Sequence, residues 1–104
     1  MILRPVEESR MLKLLADYAR NRSSEATLED LLAYIYYRGL RISATTLRRK
    51  LDRLAEQGLV AITYRQHLLA LQSDGKQWFL PVKRRVYVLR LSRLARAVEA
   101  WRGR

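Results

Sequence analysis

Residues 27–60 contain two segments of helical periodicity separated by a glycine, and this arrangement restricts the possible folds more than any other feature of the chain. Leucine or isoleucine recurs every three or four residues in both segments, as on the buried face of an amphipathic helix. Gly39 stands where a left-handed residue commonly ends a helix. The pattern predicts helices over 28–37 and 44–57, joined by a turn at 38–42.

Both predicted helices have local start or stop signals. Thr27 and Asp30 form the Thr-x-x-acid pattern of a capping box. Ser43 stands at the capping position of the second helix, and Gly58 follows that helix as a stop signal. These signals set the boundaries of the predicted pair.

The second helix separates apolar side chains from cations. At about 100° per residue, Leu47, Leu51 and Leu54 form one stripe. The opposite and flanking positions carry hydroxyl groups and cations: Thr45, Thr46, Arg48, Arg49, Lys50 and Arg53. A helix buried on one side and arginine-rich on the other suits insertion into a DNA groove, with its N-terminal half presented to the bases. The alternative is a surface helix with a solvated, charged face.

The positive charge of the chain is unevenly distributed. Residues 1–37 hold five basic and six acidic side chains, residues 38–58 hold six and two, and residues 59–104 hold ten and two. Arginine supplies 17 of the 21 cations, and its planar guanidinium suits phosphates and guanine edges. The asymmetry indicates a basic face for nucleic acid, although a GC-rich genome would also enrich arginine.

Three features follow one another along residues 8–80: the Ser43-capped arginine helix, the sequence EQGLV at 56–60, and the sequence LQSDGK at 71–76. Together they resemble the winged helix-turn-helix superfamily of DNA-binding proteins, of the MarR and PadR type. The last sequence is similar to the L-T-x-x-G-[KR] step by which many members leave the wing, with Gln72 in place of the threonine.

The resemblance implies an α+β fold with a three-helix core, a small β-wing and a C-terminal amphipathic helix. It implies a winged-helix domain over 1–80, and the apolar seam near the end of the chain predicts a dimerisation helix over 81–104. A transcriptional regulator would place the helix at about 44–57 in the major groove and the wing at about 60–71 on flanking DNA. Contacts to double-stranded DNA are then expected from Arg41, Ser43, Thr45, Thr46, Arg48, Arg49, Lys50, Arg53, Arg65 and His67.

Two elements are expected before the helical pair. Pro5 fits the first turn of an opening helix, near Glu7 and Glu8. The buried stripe of that helix comprises Met11, Leu14, Leu15 and Tyr18. By resemblance to the superfamily, Ala26 and Thr27 could form a very short strand paired with the wing.

The favoured structure for the segment after residue 60 is a short wing. Strands at about 60–64 and 67–71 form this wing, and Ser73 caps a helix that is interrupted near Pro81. This structure matches the step between wing and helix in the resembled superfamily.

A long ribbon is the alternative. Asp74 and Gly75 are a strong hairpin signal, and they would join strands over about 60–72 and 77–89. The ribbon is disfavoured because it must accommodate Pro81, which cannot donate a ladder hydrogen bond.

The end of the chain carries apolar side chains spaced four, three, four and three residues apart, as in a heptad seam. They are Tyr87, Leu91, Leu94, Val98 and Trp101. Because Trp101 lies close to the terminus, where a small monomer buries little, this seam predicts a homodimer. Packing against the first helix is the alternative. The run from Lys83 to Arg85 could contact flanking phosphates or an acidic partner.

The composition argues against catalysis and metal binding. The chain lacks cysteine, which removes disulfides, thiol catalysis and the usual zinc-finger ligands. His67 is the only histidine, and the acidic residues occupy positions typical of caps or solvated faces. We therefore expect a protein that is not an enzyme and that uses no cofactor or metal.

The sequence also bears on location and on other functions. No apolar run approaches the ~20 residues that span a bilayer, and the first ten residues lack the apolar run of a secretory signal. A cytoplasmic, nucleoid-associated location without membrane contact is expected. The alternatives to a sequence-specific regulator are a protein-interaction module in a replication or transcription assembly, and a nonspecific nucleic-acid-binding protein.

Overall fold

The computed structural model describes the backbone of residues 4–5 and 7–102, and the side chains of residues 7–101. Four helices and five strands follow one another along this part of the chain. They are β1 (Arg4–Pro5), α1 (Glu8–Asn21), β2 (Glu25–Ala26), α2 (Leu28–Tyr37), β3 (Leu40–Arg41), α3 (Ala44–Glu56), β4 (Val60–Ser73), β5 (Lys76–Leu89) and α4 (Leu91–Arg102). The two helices predicted from residues 27–60 are therefore present, with ends that agree within one residue.

The predicted caps form around α2 and α3. The Thr27 hydroxyl accepts a hydrogen bond from the Asp30 amide at 3.2 Å, and the Asp30 carboxylate accepts one from the Thr27 amide at 3.0 Å. Ser43 accepts a hydrogen bond from the Thr46 amide at 3.1 Å. Gly39, which follows α2, has φ +78°, as the predicted left-handed termination requires.

One hydrophobic core joins the helices to the base of the sheet. From α1, Met11, Leu14 and Leu15 are buried as predicted, whereas Tyr18 is half-buried. Tyr18 lies edge-on to Tyr34 of α2, with ring centroids 5.2 Å apart. The α3 stripe is buried completely or nearly so: Leu47, Leu51 and Leu54. Helix α3 is therefore held by its leucines, and its opposite face is turned outward.

Two small sheets complete the core. Strands β2, β5 and β4 form an antiparallel sheet in that order, and Ala26 pairs with Tyr87. The short strand expected before α2 is thus present and contacts the wing. Strand β1 pairs in parallel with β3, so that Pro5 lies opposite Arg41. The prediction that Pro5 starts the first helix is wrong: proline's φ also suits extended backbone, and α1 begins at Glu8.

The short wing predicted for residues 60–71 is also wrong, and the disfavoured ribbon is what forms. Strands β4 and β5 pair without interruption from Val60↔Leu89 to Ser73↔Lys76. Asp74 and Gly75 have φ +52° and +74°. Positive φ at both central residues is the type I′ geometry, whose twist matches that of the flanking strands.

Pro81 does not break this ribbon because of its position on β5. It lies opposite Leu68, whereas β2 reaches β5 only at Tyr87 and Val88. One edge of β5 is therefore free at Pro81, and a free edge is where a strand tolerates proline. Ser73 accordingly belongs to β4 and caps no helix.

Helix α4 starts at Leu91. A heptad seam that includes Tyr87 would need a helix that starts at or before that residue. Tyr87 lies on β5 and Leu94 on α4, and both are fully buried in the core of their own chain. Val98 is half-buried, and Trp101 is exposed. Because α4 packs on α1, the intramolecular alternative describes its placement. The boundary expected between residues 80 and 81 falls inside β5.

The described chain is elongated, with extents of 60 × 34 × 24 Å. We call the four helices together with the base of the ribbon (residues 60–65 and 83–89) the head, and residues 66–82 the distal ribbon. Within the described residues, no helix combines the length and apolarity needed to cross a membrane.

Candidate nucleic-acid interface

The outer face of α3 presents its cations to solvent. Arg48, Arg49 and Arg53 are exposed, and no ion pair involves any of them among the described residues. Thr45 is exposed, whereas Lys50 is half-buried. The sequence predicted this orientation from the spacing of the leucines, and the structure places the side chains accordingly.

The hydroxyl groups at the start of α3 are partly occupied. The Ser43 hydroxyl donates to the Thr46 hydroxyl at 2.8 Å while accepting from the Thr46 amide. Thr46 is half-buried as a result. Ser43 therefore acts first as a cap, and Thr45 is the hydroxyl of this turn that remains directed outward.

The cations of α3 divide into two sides around Arg49. Lys50 and Arg53 line a narrow cleft with Glu8, Met11 and Leu12 at the start of α1. Arg48 lies on the side of the ribbon. Arg49 thus occupies the middle of the outer face, with cations on both sides of it.

A basic cleft of about 350 Å³ separates α3 from the ribbon. Its lining residues are Leu28, Glu29, Arg48, Lys83, Arg84, Arg85 and Tyr87. The run from Lys83 to Arg85, which the sequence left without a location, therefore lies beside Arg48. Four cations line this cleft, whereas Glu29 is the one acidic residue of its lining, so the cleft suits an anion.

Three ion pairs attach the base of the ribbon to the rest of the head. Arg65 pairs with Glu25 of β2. Arg84 lies 3.9 Å from Glu29 and Arg85 lies 3.4 Å from Asp52 of α3. Both side chains of each pair are partly exposed to solvent, so each pair contributes little to stability. The pairs orient the ribbon relative to α3. Within the described part of the chain, Lys83 is the residue of the run from Lys83 to Arg85 that has no ion pair.

Arg85 also contacts two tyrosines. The hydroxyls of Tyr87 and Tyr64, in that order, raise the pKa of Arg85 above its ordinary value. Tyr64 receives a hydrogen bond from the guanidinium at 3.3 Å, and its ring centroid lies 5.9 Å from the guanidinium carbon. The Tyr87 hydroxyl is buried, and no described group meets the geometric criteria of a hydrogen bond to it. Arg85 is thus a fixed cation held beside Asp52.

Arg65 and His67 are not at the tip of the wing. The turn lies at Asp74 and Gly75, so both residues are near the middle of the ribbon. His67 is exposed and lies opposite Val82, whereas Arg65 is directed to Glu25. The predicted short wing, with strands at about 60–64 and 67–71, would have placed both residues at or beside its turn.

The remaining predicted residue, Arg41, lies on β3 just before α3 and is exposed. A separate groove of about 490 Å³ lies between α1 and α4, with Val98 and Trp101 on its wall. No group of three or more histidine, aspartate or glutamate side chains that could hold a metal ion is present in the described part of the chain.

A three-helix core, a helix-turn-helix pair, a β-ribbon wing and a C-terminal helix together define a winged helix-turn-helix fold of the α+β class. The structure is similar to the crystal structure of Bacillus subtilis PadR in complex with operator DNA, with a TM-score of 0.52 and 17% sequence identity. The similarity covers 89% of this chain and 48% of that one, so this chain spans about half the length of that protein. No family model and no curated protein match the sequence.

Proposed function

We propose that this protein binds double-stranded DNA as a transcriptional regulator, with α3 in the major groove. The observation that carries the proposal is the exposed Arg49 on a helix whose Leu47 and Leu51 are fully buried. A helix fixed in this way presents guanidinium groups without reorganisation. The similarity in fold to PadR, whose crystal structure is a complex with operator DNA, supports DNA binding.

In this proposal the middle of the α3 face contacts base edges. Thr45 and Arg49 are exposed there, and arginine donates two parallel hydrogen bonds to guanine O6 and N7. Arg53 extends this contact toward α1. Sequence preference would come mainly from these three side chains.

The two sides of α3 supply the phosphate contacts. Arg48 and Lys83 share the basic cleft on the side of the ribbon, while Lys50 lies on the side of α1. Ser43 and Arg41 lie at the start of the helix, where backbone amides also favour phosphate. Arg65 and His67 extend the footprint along the ribbon, with Arg65 exchanging Glu25 for a phosphate. These contacts would set the register of the protein on the duplex.

The direct test removes the two central guanidiniums. Duplexes selected from a random pool provide the ligand, and fluorescence anisotropy gives the affinity. Arg49→Ala combined with Arg53→Ala should weaken specific binding by about 30-fold to 20,000-fold, because two bidentate contacts at about 1–3 kcal/mol each contribute about 2–6 kcal/mol together. Both side chains are exposed, so the fold should be retained.

Arg90→Ala combined with Arg96→Ala is the matched control. It removes the same charge from exposed positions beside or on α4, and the affinity should change only slightly. Equal losses in the two double variants would contradict insertion of α3. Failure of the native protein to bind duplex DNA at low salt would favour a protein-interaction module instead.

Salt dependence tests the electrostatic part of the proposal. If about six phosphates are neutralised, the slope of log affinity against log salt should be near −5. A slope near zero would exclude this part. Equal affinity for unrelated duplexes at matched salt would indicate nonspecific binding.

A further inference from the structure

The distal ribbon, residues 66–82, extends from the head without packing against it. All of its residues are exposed except Val82, which is half-buried. A two-stranded hairpin in water is only marginally stable by itself. Among the described residues, the distal ribbon therefore lacks the covering layer that such a structure usually has.

Both faces of the distal ribbon are apolar. On one face, Leu69 lies opposite Leu80 and Leu71 lies opposite Trp78. These four side chains are 44%, 47%, 42% and 49% exposed in the same order, and we call them the tryptophan face. Strands that leave one face in water normally alternate apolar and polar residues, and continuous apolar runs are typical of covered strands.

The opposite face is smaller. It consists of the pairs Leu68↔Pro81 and Ala70↔Phe79, and its two largest side chains are Leu68 and Phe79. Leu68 is 59% exposed and Phe79 is 60% exposed. This face provides a matched comparison for the tryptophan face, because both lie on the same strands at the same distance from the head.

Charge favours a second copy of the chain as the partner. The full chain carries a net charge of +11, so two copies repel each other wherever their basic surfaces meet. The distal ribbon contains only Asp74 and Lys76 as charged residues. It is therefore the part of the molecule where two copies can approach with the least repulsion.

Helix α4 is the competing surface for self-association, and fewer of its apolar side chains are available to a partner. Two of the five side chains in its predicted seam, Tyr87 and Leu94, are used inside the core of their own chain. Val98 and Trp101 remain at the edge of the groove against α1. The tryptophan face, in contrast, has all four of its side chains partly exposed and adjacent.

We propose that this protein self-associates by packing the tryptophan face of one ribbon on the same face of a second copy. Two ribbons at the usual sheet spacing of about 10 Å would enclose Leu69, Leu71, Trp78 and Leu80 from both copies in a small four-stranded sandwich. The same patch meets itself, as twofold symmetry requires. With roughly 400 Å² covered per copy, the interface is smaller than that of a stable complex, which covers about 800 Å² per partner, so the dimer is weak and forms reversibly.

Tryptophan fluorescence separates this interface from one on α4, because Trp78 and Trp101 are the two tryptophans of the chain. In Trp101→Phe, emission comes from Trp78 and should shift to shorter wavelength as the protein concentration rises. In Trp78→Phe, emission comes from Trp101 and should stay constant. No shift in either variant, or a shift only in Trp78→Phe, would overturn the proposal.

Sedimentation equilibrium tests the choice of face. The native chain should approach twice the monomer mass at high concentration, and Leu71→Lys with Leu80→Lys should remain monomeric. Leu68→Lys with Phe79→Lys adds the same charge to the opposite face and should still dimerise. A monomeric native chain, a dimeric Leu71 and Leu80 variant, or loss of the dimer in both variants would each contradict the assignment. Circular dichroism of each variant checks that the head remains folded.

Discussion

The head and the distal ribbon differ in where they place apolar and charged side chains. In the head, Leu47, Leu51 and Tyr87 are fully buried and the cations lie outside. In the distal ribbon, Trp78 is 49% exposed and Phe79 is 60% exposed, and the charges of Asp74 and Lys76 cancel. The two parts therefore derive their order from different sources. The burial of apolar side chains stabilises the head. The distal ribbon is ordered by its turn and by the strand pairing that continues from the base of the ribbon.

The largest expected contrast comes from shortening a leucine in each region. Leu51→Ala removes a fully buried side chain and should lower the free energy of unfolding by about 2–5 kcal/mol. Leu69→Ala, at a site 44% exposed, should change it by less than about 1 kcal/mol. Urea unfolding followed by circular dichroism at low protein concentration gives both values. Similar losses would show that the distal ribbon packs as tightly as the head.

Two glycines provide a matched test of how far the regions are coupled. Gly39 and Gly75 have φ +78° and +74°, and a Cβ added at either would contact nothing within 4 Å. Alanine at each position should therefore cost about 1–2 kcal/mol of local backbone strain. Gly39→Ala should lower the stability of the whole head, whereas Gly75→Ala should accelerate amide exchange near Lys76 with little effect on global unfolding. An equal fall in the global unfolding midpoint would show that the two regions unfold together.

A smaller effect is expected at the capping box of α2, which directly follows the short strand β2 in the head. Thr27→Ala removes the hydroxyl that accepts from the Asp30 amide and should lower the free energy of unfolding by about 1 kcal/mol. Thr27→Ser keeps a hydroxyl and serves as the control. Thermal unfolding measures the difference, and equal destabilisation by the two variants would contradict a capping role.

The smallest expected effect concerns the ion pair that joins α3 to the ribbon. Asp52→Asn should cost about 0.2–1 kcal/mol at low salt, because the Arg85 and Asp52 side chains are 38% and 47% exposed and screened by water. High salt should remove most of the difference between variant and native protein in urea unfolding. A loss that persists at high salt would mean that the contact acts through packing instead.

Local signals explain why the helical pair was predictable. Thr27, Ser43 and Gly39 act within one turn of their own positions, and the leucines of α3 determine its buried face whatever element covers them. The exposure of Arg49 followed directly from that face. The basic cleft does not follow from local patterns, because Arg48 and Lys83 come together only when the ribbon packs beside α3.

Two signals in the ribbon favour different structures. Pro81 argues against a paired strand, yet the cost of proline depends on whether its edge of the strand has a neighbour. That neighbour, β2, ends its pairing at Tyr87 and Val88. The Asp74-Gly75 turn was the more reliable signal, since its positive φ values are satisfied locally.

The ends of α2 and α3, the stripe of Leu47, Leu51 and Leu54, and the outward direction of Arg49 all follow from local patterns in the chain. Those features depend on contacts within a few residues or on one helical face. The burial of Tyr87 and Leu94 in the internal core, and the exposure of the distal ribbon among the described residues, depend instead on how the elements pack together. The spacing of apolar residues predicts which side chains are buried, but the surface that buries them depends on residues far away in the chain.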